Sequence, residues 1–330
     1  MKRKLLGLAC GLALMGISAG AYAQQIQIKI GTISAVNSPW HRAMQKFAEV
    51  ADVESKGRLK VLPYTDGQLG DIQQMFSAMQ LGTLEMGYFG LGSAVMLRGA
   101  EPLNIIYVPY LFDSKEAAAK VLNSEDFHKM YDTVAKSTGI RVFAAYGARS
   151  PRAVQTTKGP IMKPEDLKGM RIRVPAIDSL KTTFETLGAQ VTPLGMTEIY
   201  TAMSRGTIDG QDNGFDLSIP LRFQEAAKYW SATDHAYEVT GWFVSERFWR
   251  SLTDADRGAL ETAAKAGGAV TTELTEALDH DAIALIKEAG GTYVVPDREA
   301  FKAALAGVYK KYEGKVWPAG MVEKIRAMQK

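Results

Sequence analysis

The chain has 330 residues, of which 39 are Lys or Arg, 36 are Asp or Glu, and 46% are hydrophobic. This length suits two domains of about 150 residues each, and the apolar content is ordinary for a globular protein. The formal net charge of only +3 argues against the strong basic field that attracts nucleic acid or anionic lipid. We therefore expect a globular protein with no nucleic-acid partner.

The N-terminus has the pattern of a secretory signal peptide. Residues 2–4 are basic, residues 5–17 are apolar but too short to span a membrane, and Ala21-Tyr22-Ala23 is a small-residue cleavage site. We predict a signal peptide over residues 1–23, a mature chain from Gln24 and a periplasmic location. An uncleaved membrane anchor is the alternative.

Removing this leader also changes the composition. The leader carries three bases and no acid, which leaves 36 of each in the mature chain. Cys10 is the only cysteine, and Gly7 stands three residues before it, where a lipoprotein signal has an aliphatic residue. We therefore predict no lipid anchor, and a mature protein with no disulfide, reactive thiolate or cysteine metal site.

Helices and strands alternate along the first half of the chain. Ser38 and Pro39 are typical of a helix start, because serine caps the first turn and proline fits its first position. Strands are predicted at 26–30, 59–62, 84–89 and 141–146, and helices at 72–81, 115–122 and 126–136. This rhythm predicts an α/β fold with mostly parallel sheets that have helices on both faces.

One αβ pattern occurs twice. Residues 75–85 and 199–209 both begin with an apolar, an aromatic and a hydroxyl residue followed by Ala and Met. Both end with Gly, Thr, an aliphatic residue and an acidic residue. Either the chain has two lobes of related topology, which suits a protein that closes on a ligand, or two ordinary αβ units coincide.

The pattern changes from Thr253. A helical run begins there and continues to about residue 288, which is roughly 54 Å at 1.5 Å per residue. It is either one helix lying across two lobes or two helices broken at Gly267-Gly268. A strand at 292–295 and helices at 298–312 and 322–328 complete the chain.

The residue patterns argue against an enzyme. Gly90 and Gly92 follow a predicted strand, but Val95 stands where a phosphate-binding GxGxxG needs its third glycine. Asp209 and Asp212 have no base or metal shell near them in the sequence. The histidines are far apart, and none has a histidine four residues away: His41, His128, His235 and His280. We predict no catalytic residue, metal site or cofactor, with a periplasmic hydrolase or isomerase as the alternative.

Four arginines are candidates for binding an acid. Arg149 and Arg152 follow the strand predicted at 141–146, and Arg171 and Arg173 lie on a short strand before a Val-Pro pair. A planar guanidinium offers a carboxylate two parallel, charge-assisted hydrogen bonds. From the residues alone, a surface ion pair is the competing explanation for each of them.

Short motifs cover nearly all of the mature chain in a specific order and spacing. They are Gln68-Leu69-Gly70, Val108-Pro109-Tyr110-Leu111-Phe112, Pro164-Glu165-Asp166-Leu167-Lys168-Gly169, Arg173-Val174-Pro175, Gly206-Thr207-Ile208-Asp209-Gly210-Gln211-Asp212-Asn213 and Thr233-Asp234-His235. This order resembles the solute-binding proteins of tripartite ATP-independent periplasmic (TRAP) transporters, the DctP family.

The resemblance implies a two-lobed periplasmic-binding-protein fold spanned by a long helix. It places lobe I at residues 24–147 and about 239–265, lobe II at 148–238 and about 266–300, and C-terminal helices at 301–330. It also implies a monomeric receptor that passes a small organic acid to a small and a large membrane subunit. A receptor that feeds a signalling protein is the alternative.

The resemblance also assigns ligand-binding residues. Arg173 matches the family's carboxylate binder, and Asn213 matches the asparagine that ends the family's Asp-Gly-Gln-Glu-Asn motif. Arg152 fits the family's second arginine, and Arg149 is the alternative for that role. Met196 occupies a variable pocket position. Four aromatic residues are expected to line the pocket, with plain core packing as the competing interpretation: Trp40, Phe89, Phe215 and Trp242.

The expected pocket has one cationic end and an apolar remainder. Gly90 and Leu91 stand where family members that bind polar sugars often carry an acid, and Ile33 stands where those members use Asn. This pattern favours a compact oxo, hydroxy or aromatic monocarboxylate over a ligand the size of sialic acid. A dicarboxylate whose second group is held by Arg152 stays open.

Overall fold

A computed structural model describes residues 25–329, so the predicted signal peptide at 1–23 lies outside the described residues. In the described range the strands are β1 (Ile26–Gly31), β2 (Leu59–Tyr64), β3 (Met86–Gly90), β4 (Ile140–Ala144), β5 (Arg152–Thr156), β6 (Arg171–Val174), β7 (Gln190–Pro193), β8 (Gly210–Asn213), β9 (Tyr229–Ala236), β10 (Thr240–Ser245) and β11 (Thr292–Val294).

The helices surround these strands. They are α1 (Pro39–Glu54), α2 (Ile72–Leu81), α3 (Lys115–Leu122), α4 (Glu125–Thr138), α5 (Asp178–Thr186), α6 (Ile199–Ser204), α7 (Phe215–Ser218), α8 (Phe223–Ala226), α9 (Glu246–Ser251), α10 (Asp254–Glu288), α11 (Arg298–Leu305) and α12 (Met321–Ala327). Within residues 25–329 no helix is long and apolar enough to cross a membrane.

The described strands form two sheets of related topology. The first has the order β2-β1-β3-β10-β4, and the second has the order β11-β9-β5-β8-β6-β7. Read from its other end, the second sheet begins β7-β6-β8-β5-β9. These five strands correspond in order to β2, β1, β3, β10 and β4 of the first sheet. The repeated sequence pattern covers α2 and α6, which precede the corresponding strands β3 and β8. The interpretation as two related lobes is therefore confirmed.

The predicted α/β class is also confirmed, but the sheets are mixed. β1 runs parallel to β2 and β3, whereas β10 is antiparallel to both β3 and β4. In the second sheet β5 is antiparallel to both β8 and β9. The antiparallel pairs arise because the chain crosses between the sheets at these strands. β5 enters the second sheet directly from the first, and β10 enters the first sheet directly from the second.

The chain crosses between the sheets at two neighbouring segments. Residues 145–151 lead from β4 to β5, residues 237–239 lead from β9 to β10, and Ala148 pairs with Val239 in an isolated antiparallel bridge. We call the part around the first sheet lobe I and the part around the second sheet lobe II.

The long helix α10 is continuous over 35 residues and contacts both lobes. Thr253 begins it with a capping box, Leu260 is buried in the core of lobe I, and Ile286 packs in lobe II. Gly267 and Gly268 do not break the helix. Gly268 lets it approach the crossing segment closely, because a Cβ there would lie 2.9 Å from the backbone carbon of Tyr146, and Gly267 lets it approach α1, because a Cβ there would lie 2.8 Å from the Ala43 carbonyl oxygen.

The end of the chain returns to lobe I. Phe301 of α11 is buried in lobe II, whereas Val322 and Ile325 of α12 are buried in the core of lobe I. The helix predicted at 298–312 stops at Leu305, and a short 3-10 turn follows Gly307. Glycine disfavours a continuous helix because it loses more backbone entropy than other residues.

Candidate functional site

A cavity of about 260 Å³ lies between the two lobes. Its walls come from strand ends, loops and the starts of helices in both lobes, and the strand ends of an α/β sheet are the usual place for a ligand. The lining residues are Ile33, Trp40, Asp71, Ile72, Gln73, Gly90, Ser93, Met96, Tyr107, Arg149, Arg152, Arg173, Pro175, Ala176, Ile177, Pro193, Leu194, Gly195, Met196, Glu198, Asn213 and Leu217.

Two neighbouring parallel strands place the predicted anchor residues. Arg173 lies near the end of β6, and Asn213 is the last residue of β8, which pairs with β6. Arg171 shares the strand face of Arg173 because side chains two residues apart point the same way. It is not in the cavity, however, because it lies at the start of β6 and pairs with Asp209 at 2.6 Å.

Arg173 is a buried cation without a carboxylate partner in the described part of the chain. Its Nε and Nη2 donate to the Leu194 carbonyl at 2.8 and 2.5 Å. Its Nη1 is buried with no hydrogen-bond partner among residues 25–329. Burial lowers the pKa of Arg173 to about 9, so the guanidinium is still charged at neutral pH. An unpaired buried charge is costly, and an anion in the cavity would relieve that cost.

The other two cavity arginines already have acid partners. Arg149 Nε donates to Asp216 at 2.8 Å, and its Nη1 donates to Glu238. Arg152 Nε donates to Asp212 at 2.8 Å, and its Nη1 donates to Glu238 at 3.2 Å. Burial acts to raise the pKa of Asp212, but the charge of Arg152 and the hydrogen bonds from its neighbours outweigh burial and hold that pKa well below its usual range.

The hydrogen bonds of Asn213 fix which way its amide points. Its Oδ1 accepts from Arg149 Nη2 at 2.9 Å and from the backbone N–H of Gly214 at 3.2 Å. Its Nδ2 therefore points the other way, toward the cavity, where Met196 Sδ lies at 3.9 Å. Asn213 is thus a neutral donor on the same cavity wall as Arg173.

The structure brings five of the predicted residues together around the cavity: Arg173, Arg152, Asn213, Met196 and Trp40. Trp40 also supports the charged wall. Its Nε1 donates to Asp216 at 3.1 Å, and the Arg149 guanidinium lies 4.9 Å from its ring centre.

The other three predicted aromatics are in the cores and do not line the cavity. Phe89 packs against Phe76 of α2 with ring centres 5.4 Å apart. Trp242 stacks on Phe47 of α1 at 4.4 Å. In lobe II, Phe215 stacks on Trp230 at 4.3 Å. Phe89 and Trp242 point to opposite faces of the first sheet, because Trp242 pairs with Tyr88 and Phe89 pairs with Gly241. A helix covers each residue, α2 over Phe89 and α1 over Trp242, so core packing accounts for both.

Several polar residues of the site could not be recognised from the sequence. Glu238 and Asp216 hold the arginines, and nothing in their local sequence marked them as buried acids. The rest of the cavity is also less apolar than expected. Leu91 is buried in the core of lobe I, and four polar side chains contribute to the lining: Asp71, Gln73, Ser93 and Glu198.

The two lobes touch at several places near the cavity. A Cβ on Gly67 of lobe I would lie 3.0 Å from Thr197 Cγ2 of lobe II. Asp71 and Gly195 line the cavity, and a Cβ on Gly195 would lie 3.6 Å from Asp71 Oδ2. Further along, the Ser179 backbone N–H donates to Asn104 Oδ1 at 3.3 Å. The two lobes are therefore in contact, and the cavity lies between them.

Comparison with known proteins agrees with this architecture. Residues 30–315 match the model of the bacterial extracellular solute-binding protein family 7. A solute-binding protein of Roseobacter denitrificans is 30% identical over 303 residues, which cover 91% of each chain. The 2,3-diketo-L-gulonate-binding periplasmic protein of Escherichia coli is 28% identical over 309 residues, covering 93% of this chain and 92% of its own.

Solved structures match equally well. The Roseobacter denitrificans protein, with bound L-galactonate, has a TM-score of 0.85 at 27% identity, over 92% of this chain and 99% of that chain. A TRAP solute-binding protein of Ochrobacterium anthropi, with bound L-fuconate, has a TM-score of 0.86 at 28% identity, over 93% and 100%.

The family consists of periplasmic receptors that work with TRAP membrane subunits and are in general not enzymes. Its relatives bind small organic acids. The family match over most of the chain, the two related lobes and the cavity between them lead to one conclusion: this chain belongs to the bacterial extracellular solute-binding protein family 7, the DctP family of TRAP transporter solute-binding proteins.

Proposed function

We propose that this chain captures a small organic acid in the periplasm and delivers it to the small and large membrane subunits of a TRAP transporter. Residues 1–23 direct export and are removed, and the mature chain acts as a monomer without catalysing a reaction. The observation that carries the proposal is the buried Nη1 of Arg173, which has no hydrogen-bond partner among the described residues and belongs to a side chain that lines the cavity between the lobes.

In this proposal the ligand carboxylate bonds to Arg173 Nη1 and to Asn213 Nδ2. Arg152 adds a further donor, since a guanidinium has five N–H groups and the contacts to Asp212 and Glu238 do not use all of them. Met196 and Trp40 form walls around the carbon skeleton. Phe89, Phe215 and Trp242 support the lobes and do not touch the ligand.

Two observations support a hydroxylated acid as the ligand. The cavity has polar side chains beyond its arginines, including Asp71 and Ser93, and hydroxyl groups supply hydrogen bonds to such residues. Relatives have been solved with L-galactonate and L-fuconate bound. We therefore propose an acid of about four to six carbons, for which a cavity of about 260 Å³ is a suitable volume.

The lobes are proposed to be the moving units. Lobe I comprises residues 24–147 and about 239–265, and lobe II comprises 148–238 and about 266–300, with 301–330 as C-terminal helices. The crossing segments near Ala148 and Val239 supply the hinge. Closure buries the ligand carboxylate, and exclusion of water strengthens its contact with Arg173.

A thermal-shift screen with matched compounds tests the proposal. Each acid, such as L-galactonate, is compared with its neutral counterpart, such as L-galactose, which has the same carbon skeleton without the carboxylate. We expect at least one acid to raise the unfolding temperature and its neutral counterpart to leave it unchanged, because a ligand stabilises the fold only by binding it. Equal stabilisation by the neutral sugar would contradict the proposal.

A further inference from the structure

The charge balance of the cavity points to a narrower ligand class. Resting on the proposed function, we infer that this chain selects acids with a single carboxylate and rejects the matching diacids. The residues that set this selectivity are Glu238 and Asp216, which neutralise Arg149 and Arg152 from inside the protein.

Glu238 holds both of these arginines at once. It is 1% exposed, and its Oε1 accepts from Nη1 of Arg149 and of Arg152. Its Oε2 accepts from the Tyr107 hydroxyl at 2.9 Å and from the Gly92 backbone N–H at 3.4 Å. The carboxylate is therefore fixed from four directions. Glu238 does not itself line the cavity, so it acts on the ligand through the arginines.

Each arginine has a second internal acid. Arg149 contacts Asp216, which is fully buried, at 2.8 and 3.3 Å. Arg152 contacts Asp212, which is also fully buried, at 2.8 Å. Their remaining N–H groups can donate to a ligand hydroxyl, but their charge is already matched. Arg173 is the cavity arginine with no carboxylate oxygen within 4.0 Å in the described chain, so one ligand carboxylate satisfies the site.

Two acids in the cavity lining disfavour a second ligand carboxylate as well. They are Asp71 from lobe I and Glu198 from lobe II. Asp71 is held by the Gln74 backbone N–H at 2.8 Å, and Glu198 is held by the Gly195 backbone N–H at 3.0 Å. A ligand hydroxyl can donate to these oxygens, whereas a carboxylate in the same place meets like charge.

The test compares two acids that differ at one carbon. L-galactonate ends in a hydroxymethyl group, and galactarate has a carboxylate in its place. 4-Hydroxybutanoate and succinate form a second pair without sugar stereochemistry. Calorimetry on the natural chain should show that the monoacid of a pair binds at least about 100-fold more tightly than its diacid, since the second carboxylate would meet like charge at Asp71 and Glu198.

Variants then show whether the internal acids are the cause. Glu238→Gln removes the shared negative charge from Arg149 and Arg152, and it should bring galactarate to within about tenfold of L-galactonate, mainly by tightening diacid binding. Asp216→Asn tests the same point through Arg149 alone and serves if Glu238→Gln fails to fold. Glu246→Gln is the matched control. Glu246 is a buried acid away from the cavity, and its Oε2 lies 2.7 Å from Arg141 Nε. This variant should leave the preference unchanged.

Three results would overturn the inference. The first is equal or tighter diacid binding by the natural chain. The second is an unchanged preference in both folded variants, and the third is the same shift in Glu246→Gln. Binding of neither pair would contradict the ligand class named here, while the wider screen of acids decides separately whether the chain binds acids at all.

Discussion

Replacing Arg173 with alanine is expected to weaken binding of the acid by about 3–5 kcal/mol, the cost of removing one partner from a buried ion pair. This corresponds to roughly two to three and a half decades in Kd. The physical reason is that the ligand carboxylate would stay buried with its main cation gone, since Arg149 and Arg152 are already matched by acids. Calorimetry with the acid found in the thermal-shift screen measures the loss directly.

Three further variants separate the guanidinium from its surroundings. Arg173→Lys should also bind poorly, because an ammonium cannot reproduce the planar fork. Asn213→Ala should cost less, about 1–3 kcal/mol for an unmet neutral hydrogen bond. Arg171→Ala is the control on the same strand, since Arg171 pairs with Asp209 outside the cavity. If Arg171→Ala abolishes binding while Arg173→Ala retains it, the assignment of the anchor is wrong.

Asp212→Asn is expected to lower the free energy of unfolding by about 3 kcal/mol at pH 7, because breaking a buried ion pair costs about 3–5 kcal/mol and Glu238 still contacts Arg152. Asp212 is fully buried and accepts from Arg152 Nε at 2.8 Å. Urea denaturation of the two proteins gives the difference.

The pH dependence of this loss has a definite sign. The folded state holds the pKa of Asp212 well below its usual range, so its contribution to stability is present above the unfolded pKa of about 3.9 and is lost as the pH falls toward the folded value. The difference between the natural chain and Asp212→Asn should be constant from about pH 5 to 8 and shrink below about pH 4. Asp254→Asn, at an exposed ion pair, should change stability by less than about 1 kcal/mol. An equal loss in both variants would show that burial of Asp212 is not the cause.

Periodic features of the fold were predictable from the sequence. The helical run after Thr253 and the αβ pattern shared by the two halves follow from residue spacing. Spacing alone did not decide between one helix and two, or between related lobes and coincidence; the continuous helix α10 and the strand orders decide both. The mixed sheets were harder to predict, because β5 and β10 each cross from one lobe into the other sheet. Such a crossing depends on which distant segments pair, and it produces no recognisable pattern in the local sequence.

The candidate site shows the same division. Arg173 and Asn213 stand in motifs that resemble the family's, so both could be predicted as site residues, and both line the cavity. Glu238 lies 65 residues from Arg173 and 86 from Arg152, so only folding brings it to the arginines. The sequence also did not reveal which aromatics face the cavity, because Trp40 and Trp242 are both almost fully buried and differ in what lies next to them.

Mass spectrometry of the molecule that co-purifies with the chain under native conditions tests the central claim most directly. We expect a small organic acid with one carboxylate, released on denaturation and missing from an Arg173→Ala preparation whose fold is intact by circular dichroism. A ligand without any acid group, or the same acid retained in full by Arg173→Ala, would contradict the account.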